Sequence, residues 1–197
     1  MEKNIMFKIS YGLYVLTARD GEKYNGCIIN TLQQVTDNPK KVSIAVNKNN
    51  YTHDMILKTG EFNASVLSEK AEFDTFKHFG FQSGRNVDKF ADIPLKKSEN
   101  GLPYIEDGTC GFISGRVVSK LDLGSHTMFI AEVTEGEVIS DDAPATYDYY
   151  HKHIKKAPEK SKGWVCRICG YVYEGDPLPP DFVCPICKHG ASDFEKK

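Results

Sequence analysis

Apolar and polar residues alternate along several stretches of the chain, a period of two that marks half-buried strands. Lys41 to Val46 (KVSIAV) is the clearest case, and Glu61 to Leu67, Gly111 to Leu121 and Thr127 to Ile139 keep the same rhythm. Tyr11 to Ala18 is a strand-forming run that ends at Asp20-Gly21, a hairpin signal, and Cys27-Ile28-Ile29 continues beyond it. Gly124-Ser125 supplies a turn between the last two long strands. Two segments have helical spacing instead. Thr52 to Lys58 has Thr52 as its cap and Gly60 as its stop, and Lys70 to Phe79 sets Phe73, Phe76 and Phe79 on one side. Strand and helix units do not alternate. The expected fold class is therefore mainly β with peripheral helices, a closed or nearly closed antiparallel barrel rather than a doubly wound sheet.

The pattern changes near residue 154. Ile154 to Gly163 (IKKAPEKSKG) carries four lysines and only two apolar residues, and it reads as a linker between a body, residues 1–153, and a compact tail, residues 164–197. With 197 residues, 40% of them hydrophobic, the chain can bury a real core. Its net charge of −2 weighs against a nucleic-acid partner, which would call for a basic surplus. The longest apolar runs, Leu13 to Leu16 and Met128 to Ala131, fall well short of the roughly 20 residues that cross a bilayer. Lys8 interrupts the N-terminus before a secretory signal can build, so a cytoplasmic location is expected.

Four of the six cysteines, Cys166, Cys169, Cys184 and Cys187, form two CxxC pairs in the tail. Each pair puts two thiolates on one tight turn, and two such turns face to face supply a tetrahedral all-sulfur site for zinc or iron. A stretch this short needs such a staple to fold. Gly170 and Pro185 suit turns whose amides point at the sulfurs, and Trp164, Tyr171, Tyr173, Phe182 and Phe194 can screen the site from water. The run WVCxxCGYVYEGD, then PDFVCPxC, then DFE resembles rubredoxin. The short gap from Cys169 to Cys184 is similar to that of abbreviated rubredoxin domains fused to other redox modules. This resemblance implies one iron on the four cysteines, with a structural zinc ribbon as the alternative. Cys27 and Cys110 stand apart and read as buried structural cysteines.

The body has no GxGxxG, no P-loop, no G-x-S-x-G and no H-E-x-x-H, so a Rossmann site and the common hydrolase sites find no support. What it has are polar clusters at strand and helix ends: Asn30-Thr31, Asn47 to His53, Ser83-Gly84-Arg85, Lys89 and His126. Such clusters suit a phosphate group, and equally they suit loop capping. The order GLYVLT, DG, NGCIINT, VTDNP, KVSIAVNKNNYTHDMI, TGEFNASVLS, FGFQSGRNVDKF and GSHTMFIAEV is similar to the FMN-binding flavin reductase family, whose fold is a split β-barrel. The resemblance implies that Asn30, Thr31 and Leu32, Ala45, Val46, Asn47 and Lys48, Tyr51, Thr52 and His53, and Ser83, Gly84, Arg85 and Lys89 hold FMN. The last four are contributed by the same or a neighbouring subunit of a homodimer. His126 falls on the family's G-x-H strand and is expected to touch flavin or nicotinamide; the other reading is a histidine satisfied within the barrel.

Barrel followed by iron tail is the order of the high-molecular-weight rubredoxins. That resemblance implies an NAD(P)H-dependent oxidoreductase in which NADH or NADPH reduces FMN, FMN reduces the iron, and the iron serves an outside acceptor. The implied acceptor is a flavodiiron protein that reduces nitric oxide or dioxygen. A flavin reductase feeding a monooxygenase, a relative of pyridoxamine-phosphate oxidase, and a non-catalytic zinc-ribbon adaptor are the other readings. The NKNNYTH stretch and the tail argue against the second of these.

Overall fold

Gly21, at φ 59°, reverses the chain between β1 (Tyr14–Asp20) and β2 (Lys23–Ile29), which is the hairpin that Asp20-Gly21 announces. The computed structural model describes residues 5–155, 163–168, 170–185 and 188–196. After β2 come β3 (Gln33–Asp37), β4 (Lys40–Asn47), α1 (Tyr51–Thr59), β5 (Glu61–Leu67) and α2 (Phe73–Gly80). The short pair β6 (Lys96–Lys97) and β7 (Pro103–Tyr104) precedes two long strands, β8 (Thr109–Asp122) and β9 (His126–Val138). Seven strands form one antiparallel sheet in the order β2-β1-β5-β8-β9-β4-β3.

The two edges of that sheet, β2 and β3, are consecutive in sequence, with only Asn30 to Leu32 between them. Such a link spans at most roughly 14 Å, whereas seven strands laid flat would be about 29 Å across. The sheet has to curl into a split barrel. Thr31 stitches the seam: its hydroxyl donates to the Ala45 carbonyl at 2.7 Å and accepts from the Ala45 amide at 3.1 Å.

Two apolar cores share β1. Leu16 and Ala18 point into the barrel with Val42, Ile44, Val46, Phe62, Ala64 and Phe129, where Met55 and Ile56 of α1 plug one end. Leu13 and Val15 point outward onto Phe76 and Phe79 of α2, Phe90 and Tyr150. Helix α1 begins one residue earlier than expected. Asn50 occupies the N-cap position, while Thr52 is fully buried and accepts a hydrogen bond from Asn25 Nδ2 at 2.9 Å. Gly60 ends the helix at φ 73°, as its sequence position anticipates. Helix α2 is shorter than Lys70 to Phe79, because Ser68 to Ala71 is held in a turn against Gly108 and Ala143.

Beyond β9 the chain turns through α3 (Tyr147–Tyr149) and a π-helical turn, Tyr150–Ile154; the rest of the expected linker, 156–162, lies outside the described residues. The tail forms a separate sheet, β11-β10-β12, from β10 (Trp164–Cys166), β11 (Val172–Tyr173) and β12 (Phe194–Lys196). Its core gathers Cys166, Cys184 and Phe194 with Trp164, Ile168, Tyr171, Tyr173, Leu178 and Phe182, all of them tail residues. Among the described residues no helix is long and apolar enough to cross a membrane.

Candidate functional site

A cavity of about 1070 Å³ opens where β2, the start of α1 and the loop after α2 converge. Of the expected cofactor residues it brings together Asn47, Tyr51, Ser83, Gly84, Arg85 and Lys89. Asn25, Cys27, Asn49, Asn50 and Asn86 join them, with the segment Phe79 to Gln82, Ile28 and Val87, and Tyr171, Val183, Pro185 and Lys188 of the tail line it as well.

The floor is built on β2. Asn25, Cys27 and Ile29 alternate on the side of that strand turned toward the barrel, so Asn25 is a polar residue on an otherwise apolar face. That break in the pattern was a readable signal of a site. Asn25 is 2% exposed, and its Oδ1 has no hydrogen-bond partner among the described residues. Gly84 lies so close above it that a Cβ there would stand 1.9 Å from Oδ1. Lys89 reaches the floor from the far side, donating to the carbonyls of Gly26 and Phe79 at 2.8 Å each. Burial pushes its ammonium down to about 8, against a smaller opposing pull from Cys27. Burial likewise pushes the Cys27 thiol up, although the Thr52 hydroxyl and Lys89 act the other way.

The rim carries the charge. Arg85 Cζ stands 4.9 Å from the Tyr51 ring centroid, Lys23 Nζ stands 5.0 Å from it, and Arg85 Nη2 donates to Asp54 Oδ2 at 2.5 Å. Partial burial works to raise the Asp54 carboxyl, but hydrogen bonds from His53 and Arg85 prevail and hold it below its ordinary value. Asn50 makes no side-chain cap on the first turn of α1, and Asn49, Asn50 and Tyr51 line the cavity, so the positive end of that helix lies at its wall.

The remaining expected residues lie behind or beside this wall. Thr31 and Ala45 are engaged in the seam, Leu32 packs on the barrel core, Val46 is inside it, and Asn30 is half-buried on the same link. Lys48 Nζ pairs with Asp122 at 2.7 Å. His53 is 4% exposed, its Nδ1 donating to Asp54 Oδ1 at 3.0 Å and its Nε2 2.8 Å from Thr127 Oγ1. His126 is half-buried opposite Asn47 in the β4–β9 ladder, and its Nδ1 lies 2.9 Å from Ser125 Oγ. Cys110, expected to be buried, is only half-buried on β8, with its thiol donating to the Val66 carbonyl at 3.6 Å.

In the tail, Cys166 and Cys184 are 1% and 0% exposed. Cys169 and Cys187 lie outside the described residues. The two turns are built alike: the Gly170 amide donates to the Cys166 carbonyl at 2.8 Å, and the Lys188 amide to the Cys184 carbonyl at 3.0 Å. Each closing residue is left-handed, Gly170 at φ 81° and Lys188 at φ 61°. Two matching thiol turns around an aromatic core fit a tetrahedral sulfur site. In the body, the orphaned Asn25 oxygen, the close backbone of Gly84 and the cationic rim fit a bound molecule that offers both a hydrogen-bond donor and an anionic group. A flavin mononucleotide offers both.

Comparison with known proteins follows the same division. Residues 6–158 match the flavin reductase like domain, and residues 164–195 match the rubrerythrin, rubredoxin-like domain. The chain is 37% identical to the high molecular weight rubredoxin of Moorella thermoacetica over the full length of both proteins. It is 33% identical to the ferric-chelate reductase (NAD(P)H) of Archaeoglobus fulgidus over 77% of this chain and 89% of that one. The solved structure of the flavin reductase PheA2 superposes with a TM-score of 0.62 at 26% identity, covering 73% of this chain and 89% of that one. The chain therefore belongs to the flavin reductase-like family and carries a rubredoxin-like domain behind its barrel.

Proposed function

We propose that the protein is an NAD(P)H-dependent oxidoreductase that holds FMN in the barrel cavity and one iron on Cys166, Cys169, Cys184 and Cys187. The observation that carries this reading is the shared cavity wall. Tyr171, Val183, Pro185 and Lys188 are the tail residues that line it, and all four sit beside the cysteines. The metal end of the tail thus faces the place expected for the flavin. A bound flavin supplies the conversion that the pairing needs, since it accepts two electrons as hydride and releases them singly to iron. The residues of the chain do the rest. Lys89 and the positive end of α1 favour negative charge in the cavity, Asn25 offers an acceptor oxygen that no group of the described fold uses, and the aromatic core of the tail keeps water from the sulfurs. The expected acceptor is a flavodiiron protein or another one-electron acceptor, and this chain is expected to act as a cytoplasmic homodimer.

Visible spectra of the purified protein test the reading directly. Flavin bands and a red ferric-thiolate band should both be present and both bleach anaerobically with NADH. Cys184→Ser should abolish the red band and leave flavin reduction nearly unchanged; loss of both would refute the two-centre arrangement. A second reading has its own support, because the ferric-chelate reductase match covers the barrel at 33% identity. Reduction of ferric chelates at an equal rate by wild type and Cys184→Ser would favour it.

A further inference from the structure

The same wall has a second consequence, which rests on the oxidoreductase reading. Hydride transfer requires the nicotinamide ring to lie within about 3.5 Å of the flavin ring, and that approach has to be made through the cavity. In this structure the tail forms part of the wall of that approach, Val183 and Lys188 lining the same cavity as Ser83, Arg85 and Asn86.

The tail is built to leave. Its core cluster contains tail residues only, and its three strands pair with one another. The face it sets on the cavity is mixed in character: one tyrosine, one valine that stays 53% exposed, one proline and one lysine. Contacts of this kind resemble transient interfaces between domains rather than a fused core. Residues 156–162, seven in number, join it to the body, and seven residues reach roughly 24 Å when extended. A nicotinamide ring needs a gap of only about 7 Å, one contact distance of about 3.5 Å on each of its two faces.

We infer that the tail and the dinucleotide take turns at one cavity mouth: the docked tail excludes the nicotinamide, and the bound nicotinamide displaces the tail. A tail seated nine-tenths of the time would weaken the apparent affinity for dinucleotide about tenfold, in proportion to the open fraction. Undocking the tail by mutation should return that factor.

The test uses the full chain with FMN bound and zinc in place of iron, which preserves the tail and removes electron transfer from the readout. Tetrahydro-NADH, which cannot donate hydride, is the probe, and hydrogen exchange is followed by mass spectrometry. Saturating probe should speed exchange in peptides carrying Tyr171 and Val183 while slowing it around Ser83 to Val87. Val183→Lys, which sets a like charge against the cationic rim of Arg85 and Lys23 without altering the barrel, should undock the tail and tighten probe binding by roughly threefold to tenfold. Slower exchange in both segments, or no change in the tail despite bound probe, would mean that tail and dinucleotide sit together, and the inference falls. A probe that does not bind to flavin-loaded protein overturns the oxidoreductase reading, and this inference with it.

Discussion

Lys89 is a cation held in a nearly dry place, and its two carbonyl partners offset only part of what the burial costs. Because its ammonium titrates near 8 in the fold and near 10.5 in the unfolded chain, the unfolded state binds more protons between those values. Stability from this group therefore rises with pH. In urea titrations of ligand-free protein, wild type should gain about 2 kcal/mol over Lys89→Met between pH 7.5 and 9.5. An unchanged difference would mean that Lys89 is solvated. Gly84→Ala acts by volume instead. Its Cβ would fall 1.9 Å from Asn25 Oδ1 and 2.4 Å from Cγ, so the loop must lift. A loss of about 1–3 kcal/mol in stability is expected from such overpacking, together with weaker FMN binding by fluorescence titration. These residues were legible to different degrees. Ser83 to Lys89 stood out through resemblance to the family, whereas Asn25, within the NGCIINT run, was marked only by its polarity beside the apolar Cys27 and Ile29.

At the scale of elements, legibility followed burial. β4 alternates in sequence because Val42, Ile44 and Val46 face the core while their neighbours do not, and the same holds for much of β9. β3 left no such trace, since all five of its residues are exposed and its existence depends on pairing with β4. β6 and β7, two residues each, are too short to show a period. The cysteine turns were legible from spacing alone, but Lys188 in the left-handed region was not. A side chain with a Cβ costs about 1 kcal/mol or more there relative to glycine. Lys188→Gly should therefore stabilise the metal-loaded tail by about 1 kcal/mol, read as slower loss of metal to a chelator. Faster loss would show that the lysine side chain compensates for its backbone.

The placement of the tail over the cavity could not be read from the sequence at all, because it joins residues some 80 to 160 positions apart through side chains with no pattern of their own. What the sequence does offer is the tether. Inserting a flexible segment of equal length into residues 154–163 should lower the local concentration of the iron domain roughly threefold, by the three-halves power of length. Stopped-flow reduction of iron should slow by that factor when encounter limits it, with reduction of flavin by NADH no slower. A rate of iron reduction that ignores the insertion would place the limit elsewhere.

One strand also governs how the molecule comes apart. β1 gives Leu16 and Ala18 to the inner core and Val15, beside Leu13 just before the strand, to the outer one, so neither core can melt while the other keeps its shared strand in place. The body should unfold as one cooperative unit, although it contains two apolar clusters. The tail shares no such strand, and its hold on the fold is its metal. Calorimetry should therefore record two transitions rather than three, and a chelator should erase one of them without moving the other.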